Sequence, residues 1–226
     1  MLDDLPVLRE AAEGYRVAAT AAGLAWTAQD DPRDGQPPGL VYRLCEVSAV
    51  PDQLSWFQTL GWQSERLLPN GGWVMPWPAD ADEALDNLSF AVATPFPWRQ
   101  QVPLFNFELF VYAFVLAETH RGEIWRYEIR PDTWQTARAA PSLATLLTDW
   151  RRGIESGEVV FEADDEWLHV REPVRDPFPY PETITDLAAL REHQRSVGID
   201  LDRVDSPATH RALQEEIHAL RRALRS

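Results

Sequence analysis

Between Pro103 and Gly157 the spacing of apolar and polar positions changes twice, and each change predicts an element. Residues 109–116 (LFVYAFVL) are apolar without a break, as a strand covered on both faces requires, and Glu118-Thr119-His120-Arg121-Gly122 supplies the turn that follows. Residues 123–130 (EIWRYEIR) then alternate. Trp125, Tyr127 and Ile129 point one way and Arg126, Glu128 and Arg130 the other, which predicts the second strand of a hairpin with one buried and one wet, charged face. After Pro131-Asp132 the period becomes helical: Leu143, Leu146, Leu147, Trp150 and Ile154 form a stripe that starts near Ser142 and ends at Gly153 and Gly157. Residues 104–130 are therefore expected to be neighbouring antiparallel strands with this helix laid over them.

The same reading extends to the flanks. Asp3-Asp4 and Pro6 open an N-terminal helix whose stripe of Leu5, Leu8, Ala12, Tyr15, Ala19 and Ala22 is closed by Gly23; being mostly alanine, it should lie close against its neighbour. Residues 28–39 (AQDDPRDGQPPG) read as a surface loop and 40–47 as a strand. Pro51 starts a short helix that runs to Leu60 and ends at Gly61, and Pro69-Asn70-Gly71-Gly72 turns between short segments at 65–68 and 73–77. An acidic helical turn at 80–86 precedes a strand at 88–93. A hairpin at 159–162 and 167–170 has Ala163-Asp164-Asp165-Glu166 at its tip. Residues 171–181, with four prolines, form a linker to two helices, 185–197 and 206–225. Ser206 caps the last helix with Pro207 at its first position, and Arg221, Arg222 and Arg225 lie where its dipole favours cations. Its stripe of Leu213, Ile217, Leu220 and Leu224 would gain about 1.5–3 kcal/mol per fully buried leucine, so it should dock on the main body or on a second copy of the chain. The expected fold is α+β: an antiparallel sheet of about five to six strands covered by helices, with an N-terminal helix and a C-terminal helix pair. Residues 1–175 form the main domain and 176–226 a helical extension.

Composition narrows the function classes. No run approaches the roughly 18 apolar residues of a membrane span, and MLDDLPVLRE lacks the basic start and apolar centre of a signal peptide, so a cytoplasmic protein is expected. The single cysteine, Cys45, excludes an internal disulfide and reads as a packed thiol. All 21 basic residues are arginine, which removes Schiff-base and P-loop lysine chemistry. A net charge of −15 repels nucleic acid. Residues 1–100 carry 14 acidic and 6 basic side chains, whereas 181–226 carry 8 and 7, so an acidic partner surface should lie in the first half.

Catalytic and metal signatures are missing. His120, His169, His193, His210 and His218 make no HExxH, and no second cysteine can complete a zinc knuckle. Asp164, Asp165 and Glu166 lack the EF-hand spacing and read as a solvated tip. GxSxG, GxGxxG and GxxxxGK[ST] are all absent, and carboxylate pairs such as Asp80 with Asp82 or Glu123 with Glu128 are not made an acid and a base by spacing alone. No catalytic residue, metal or cofactor is expected. Ten tryptophans remain, of which Trp56, Trp62, Trp73 and Trp77 cluster beside the acidic stretch. They read either as core filling or, for Trp73 and Trp77, as partly exposed anchors for a partner, with Asp80, Asp82, Glu83 and Asp86 at the rim.

The run GEIWRYEIRPDTWQTARAAPSLATLLTDWRRGIESG, from Gly122 to Gly157, resembles bacterial members of the SMI1/KNR4 family in the SUKH superfamily, which pair a G-x-x-W/Y strand with a small-residue connection and a helix of the form SLaxxLxxW. The likeness extends through PWRQQVPLFNFELFVYAFVL and more loosely to residues 51–60 and Asn70-Gly71-Gly72, covering about 100 of the 226 residues. It implies an α+β fold and a non-enzymatic binding protein, since bacterial members commonly neutralise toxins as immunity proteins and fungal relatives act as interaction hubs. The expectation is thus an immunity-type protein binding a basic toxin domain. The alternative is an enzyme or small-ligand sensor whose groups converge only in three dimensions.

Overall fold

The computed structural model describes residues 3–27, 48–62, 66–75, 100–107, 110–128, 136–171, 183–184, 187–196 and positions 211, 215, 218, 219 and 222. The expected loop at 28–39, the strands at 40–47 and 88–93, Cys45, the acidic turn at 80–86 and the stripe of the last helix fall outside them.

Pro6 in the first turn and left-handed Gly23 bound helix α1 (Leu5–Ala22), whose buried side is Leu8, Ala11, Ala12, Tyr15 and Ala19. Pro51 caps α2 (Asp52–Gln58). A 3-10 turn at Pro69–Gly71 leads into β1 (Trp73–Val74), followed by β2 (Gln101–Phe107), β3 (Phe110–Val115), β4 (Ile124–Glu128) and β5 (Thr136–Ala140). Helix α3 (Leu143–Ser156) begins at Ser142, whose hydroxyl accepts the Thr145 amide, and ends at left-handed Gly157. The amide of Ala144 is taken by the Asp3 carboxylate at 2.9 Å, so the start of the chain ties down the first turn of α3. Strands β6 (Val159–Glu162) and β7 (Trp167–Val170) form the expected hairpin as a separate two-stranded sheet. Strand β8 (Thr183–Ile184) and helix α4 (Leu187–Ser196) follow. Arg211, Glu215, His218, Ala219 and Arg222 are helical and exposed.

The main sheet is antiparallel throughout, in the order β1-β2-β3-β4-β5-β8. The α+β fold is as the pattern predicted. On one face, Phe105, Phe107 and Tyr112 meet Trp150 of α3 at centroid distances of 5.4, 5.8 and 6.4 Å, and Phe57 of α2 stands edge-on to Phe105. Helix α1 lies along α3, with Tyr15 against Trp150, and the Tyr15 hydroxyl donates to the Leu67 carbonyl at 2.7 Å. An added Cβ at Gly14 would lie 2.8 Å from an Arg151 nitrogen, so the alanine-rich stripe does permit the close approach expected of it.

Two expectations are corrected. The pattern places no strand between Pro131 and Ser142, yet TARAA pairs with β4 as a full strand, because an adjacent strand outweighs the weak strand preference of alanine. The Arg126 face of β4 is not wet: Arg126 is 2% exposed, with its guanidinium 4.4 Å from the Phe110 ring. Its register partner is Tyr112, so it lies on the face that Trp150 of α3 covers, where the long arginine stem packs and its head stacks. The expected turn at 69–72 is present, closed by the Leu68 amide on the Gly72 carbonyl at 3.3 Å and the Gly72 amide on the Pro69 carbonyl at 3.2 Å, and the described residues after it pair with β2.

Candidate functional site

Of the six residues singled out for partner binding, the described residues include Trp73; Trp77, Asp80, Asp82, Glu83 and Asp86 lie outside them. Trp73 sits on β1, the end strand of the sheet among the described residues, opposite Asn106, and is half-buried. The close contact a Gly72 Cβ would make with the Phe107 ring, 2.1 Å, explains why the approach to this strand carries no side chain. On the same sheet face as Trp73, the Tyr127 hydroxyl reaches across β3 to donate to the Gln101 side-chain carbonyl at 2.7 Å, leaving the buried Gln101 amide nitrogen without a partner. Burial pushes the Tyr127 phenol well up from its ordinary range; the Gln101 hydrogen bond opposes this and the nearby Glu123 charge adds to it.

A second constellation centres on Glu123, just before β4. One carboxylate oxygen accepts from Trp125 Nε1 at 2.7 Å and meets His120 Nδ1 at 3.0 Å, while the other lies 3.5 Å from an Arg138 nitrogen. The side chains of His120 and Arg138 are 24% and 33% exposed, so two nitrogen-rich groups are held by one acid at the end of a strand. The sequence offered Glu123 only as one of many carboxylates. Its partners are 2, 3 and 15 positions away and meet only when the turn and β5 are in place.

The third lies at the tip of the β6–β7 hairpin, where donor atoms of Glu162, Asp165 and His169 all come within 4.8 Å of one another. Here the run Asp164-Asp165-Glu166 misled: Asp165 takes part, but its companions are on the flanking strands. Glu166 turns away, at φ 61°, to pair with Arg66 at 3.4 Å. The hairpin is anchored beside β1, because Asn70, in left-handed conformation, accepts the Val170 amide on its side-chain oxygen at 3.0 Å and Trp167 lies over Gly71.

Comparison with family models gives no match, and comparison with curated proteins gives none either. No described helix is long and apolar enough to cross a membrane.

Proposed function

We propose that this chain is a cytoplasmic, non-enzymatic protein-binding domain of the SMI1/KNR4 type: an immunity-type neutraliser that covers a basic toxin domain, or another basic protein, with the surface bearing Trp73, Trp77, Asp80, Asp82, Glu83 and Asp86. The observation that carries this reading is the placement of Trp73, half-buried on the end strand of the sheet among the described residues, a few positions ahead of the acidic run. A partly exposed indole at a sheet edge offers the desolvated anchor that rim carboxylates lack, and edge strands accept extended partner segments. The net charge of −15, weighted to the first hundred residues, favours a basic partner through faster encounter. The C-terminal helices would add either an intramolecular brace or a homodimer contact.

Capture from the native cell tests this. Wild type should recover a basic protein; the variant D80N/D82N/E83Q/D86N should associate more slowly with a flatter salt dependence, and Trp73→Ala should dissociate about 30-fold faster, as for a hot spot of about 2 kcal/mol. Equal binding of one partner by all three proteins would remove this surface from the mechanism. The Glu123 cluster supports a second reading, a small-ligand sensor, because it presents His120 and Arg138 together. Turnover or binding of an anionic metabolite that is lost in Arg138→Ala would favour it.

A further inference from the structure

We propose that Glu162, Asp165 and His169 form a binding site for a divalent transition-metal ion of the zinc class. Glu162 ends β6, Asp165 lies in the turn and His169 is on β7, where it faces Val160 across the ladder; Glu162 and His169 therefore share one face of the hairpin, and the turn brings Asp165 to them. Their donor atoms lie within 4.8 Å of one another, and Asp165 Oδ2 is 2.9 Å from His169 Nε2. A zinc ion with ligand bonds of about 2.0–2.2 Å needs donors roughly 3.3–3.5 Å apart, so a small inward movement of exposed side chains completes the set.

Two features favour a cation at this place. First, two carboxylates are held close, and the arginine beside them is engaged elsewhere. The adjacent Arg66 gives its guanidinium to Glu166 and to the Trp167 ring, and among the described residues the Glu162 carboxylate has no hydrogen bond or ion pair. Second, His169 turns Nε2 toward Asp165, so the imidazole already presents a ligand atom to the acids. A metal ion between the nitrogen and the acids uses the lone pair and neutralises both carboxylates. One imidazole with two carboxylates suits zinc, cobalt or nickel, whereas calcium and magnesium prefer oxygen ligands alone. Three protein ligands leave a coordination position for water or for a group from outside the chain. The site is independent of the proposed function, although it lies on the hairpin anchored next to β1.

The test uses the intact chain and metal alone. Titration with Zn²⁺ by calorimetry should show one ion per chain, Co²⁺ should give the visible absorption of a low-coordinate site, and Zn²⁺ should raise the melting temperature. His169→Ala and the double variant Glu162→Gln/Asp165→Asn should lose more than the roughly 10- to 100-fold in affinity that removal of an outer-shell partner costs, while His218→Ala binds as wild type does. Because a hairpin variant can fail to fold, the wild-type protein is also followed by NMR, where Mn²⁺ or Co²⁺ should selectively broaden the His169 ring and Trp167 indole signals. Absence of Zn²⁺ binding, binding unchanged in His169→Ala, or broadening centred on His120 or His218 would each overturn the proposal.

Discussion

Replacing Trp150 separates two terms that the structure places on one side chain. The residue is 0% exposed and touches Tyr15, Phe105, Phe107 and Tyr112, so it joins both helices to the sheet. Its indole N–H is buried without a hydrogen-bond partner among the described residues. Trp150→Ala removes the ring and leaves a cavity among four aromatic residues that cannot collapse far, at a cost of about 3–5 kcal/mol. For a chain of this size that lowers the melting temperature by roughly 6–20 °C and takes a large share of a total stability of about 5–15 kcal/mol. Trp150→Phe keeps most of the packing and also abolishes the orphan donor, whose burial costs about 1–3 kcal/mol. The two contributions to the phenylalanine variant oppose each other, and its net loss should stay below about 1.5 kcal/mol. Urea melts followed by circular dichroism give both values from the midpoint at constant m. An alanine variant with an unchanged midpoint would refute the placement of Trp150, and a phenylalanine variant as damaged as the alanine one would refute the cost assigned to the unpaired N–H.

Three further outcomes follow from single contacts. Gly72→Ala should cost about 1–3 kcal/mol by overpacking, since its Cβ would lie 2.1 Å from the Phe107 ring although φ of −64° suits any residue; an unchanged melt would show that the ring gives way freely. Ser142→Ala should cost about 0.5–2 kcal/mol through the lost cap on Thr145, and Asp3→Ala should weaken the same helix start, seen as faster amide exchange at Ala144. Burial raises the phenols of Tyr15 and Tyr127 in the folded chain, whereas unfolded tyrosines ionise near pH 10. Stability should therefore be intact below about pH 10 and fall above it, at up to about 1.4 kcal/mol per pH unit for each phenol, and Tyr15 and Tyr127 should titrate by absorbance only on unfolding.

What could be read from the chain is what local chemistry decides. The unbroken apolar run became β3, the helical stripe with Ser142 and Gly157 at its ends became α3, and Pro6 with Gly23 bounded α1. Strand β5 was not legible because Ala137, Ala139 and Ala140 carry no strand preference, and their pairing is imposed by β4. Arg126 was read as wet because charge alternated with aromatic residues; burial of both faces is a property of the sheet and not of the strand. The sites divide in the same way. Trp73 is legible as a candidate from its own neighbourhood, whereas Glu123 with Arg138 and Glu162 with His169 are pairs made by strand pairing, for which linear spacing carries no signal.

One inserted residue sorts the two faces of the sheet and provides the last prediction. Strand β2 pairs Pro103 with Ala113 and then Phe105 with Tyr112, so Leu104 has no opposite number. Before the bulge Gln101 and Pro103 align with Val115 and Ala113; after it Asn106 aligns with Val111 on that same face, while Phe105 and Phe107 join Tyr112 and Phe110 on the other. Uninterrupted alternation would instead place the Asn106 amide among the aromatic rings around Trp150 and turn Phe107 away from it. The bulge thus keeps the helix-covered face aromatic and gathers Gln101, Asn106, Tyr127 and Trp73 on the opposite one, where the proposed partner surface begins. Deleting Leu104 should therefore leave both faces as they are and cost about as much as Leu104→Ala. The alanine variant loses only a buried side chain, about 2–5 kcal/mol, and keeps its register. The deletion takes out the unopposed residue, so Pro103, Phe105, Asn106 and Phe107 alternate without a break and still align with Ala113, Tyr112, Val111 and Phe110; it should keep its near-ultraviolet circular dichroism and a cooperative melt. A deletion variant that loses its aromatic spectrum, while Leu104→Ala keeps it, would show that the bulge does not set the faces.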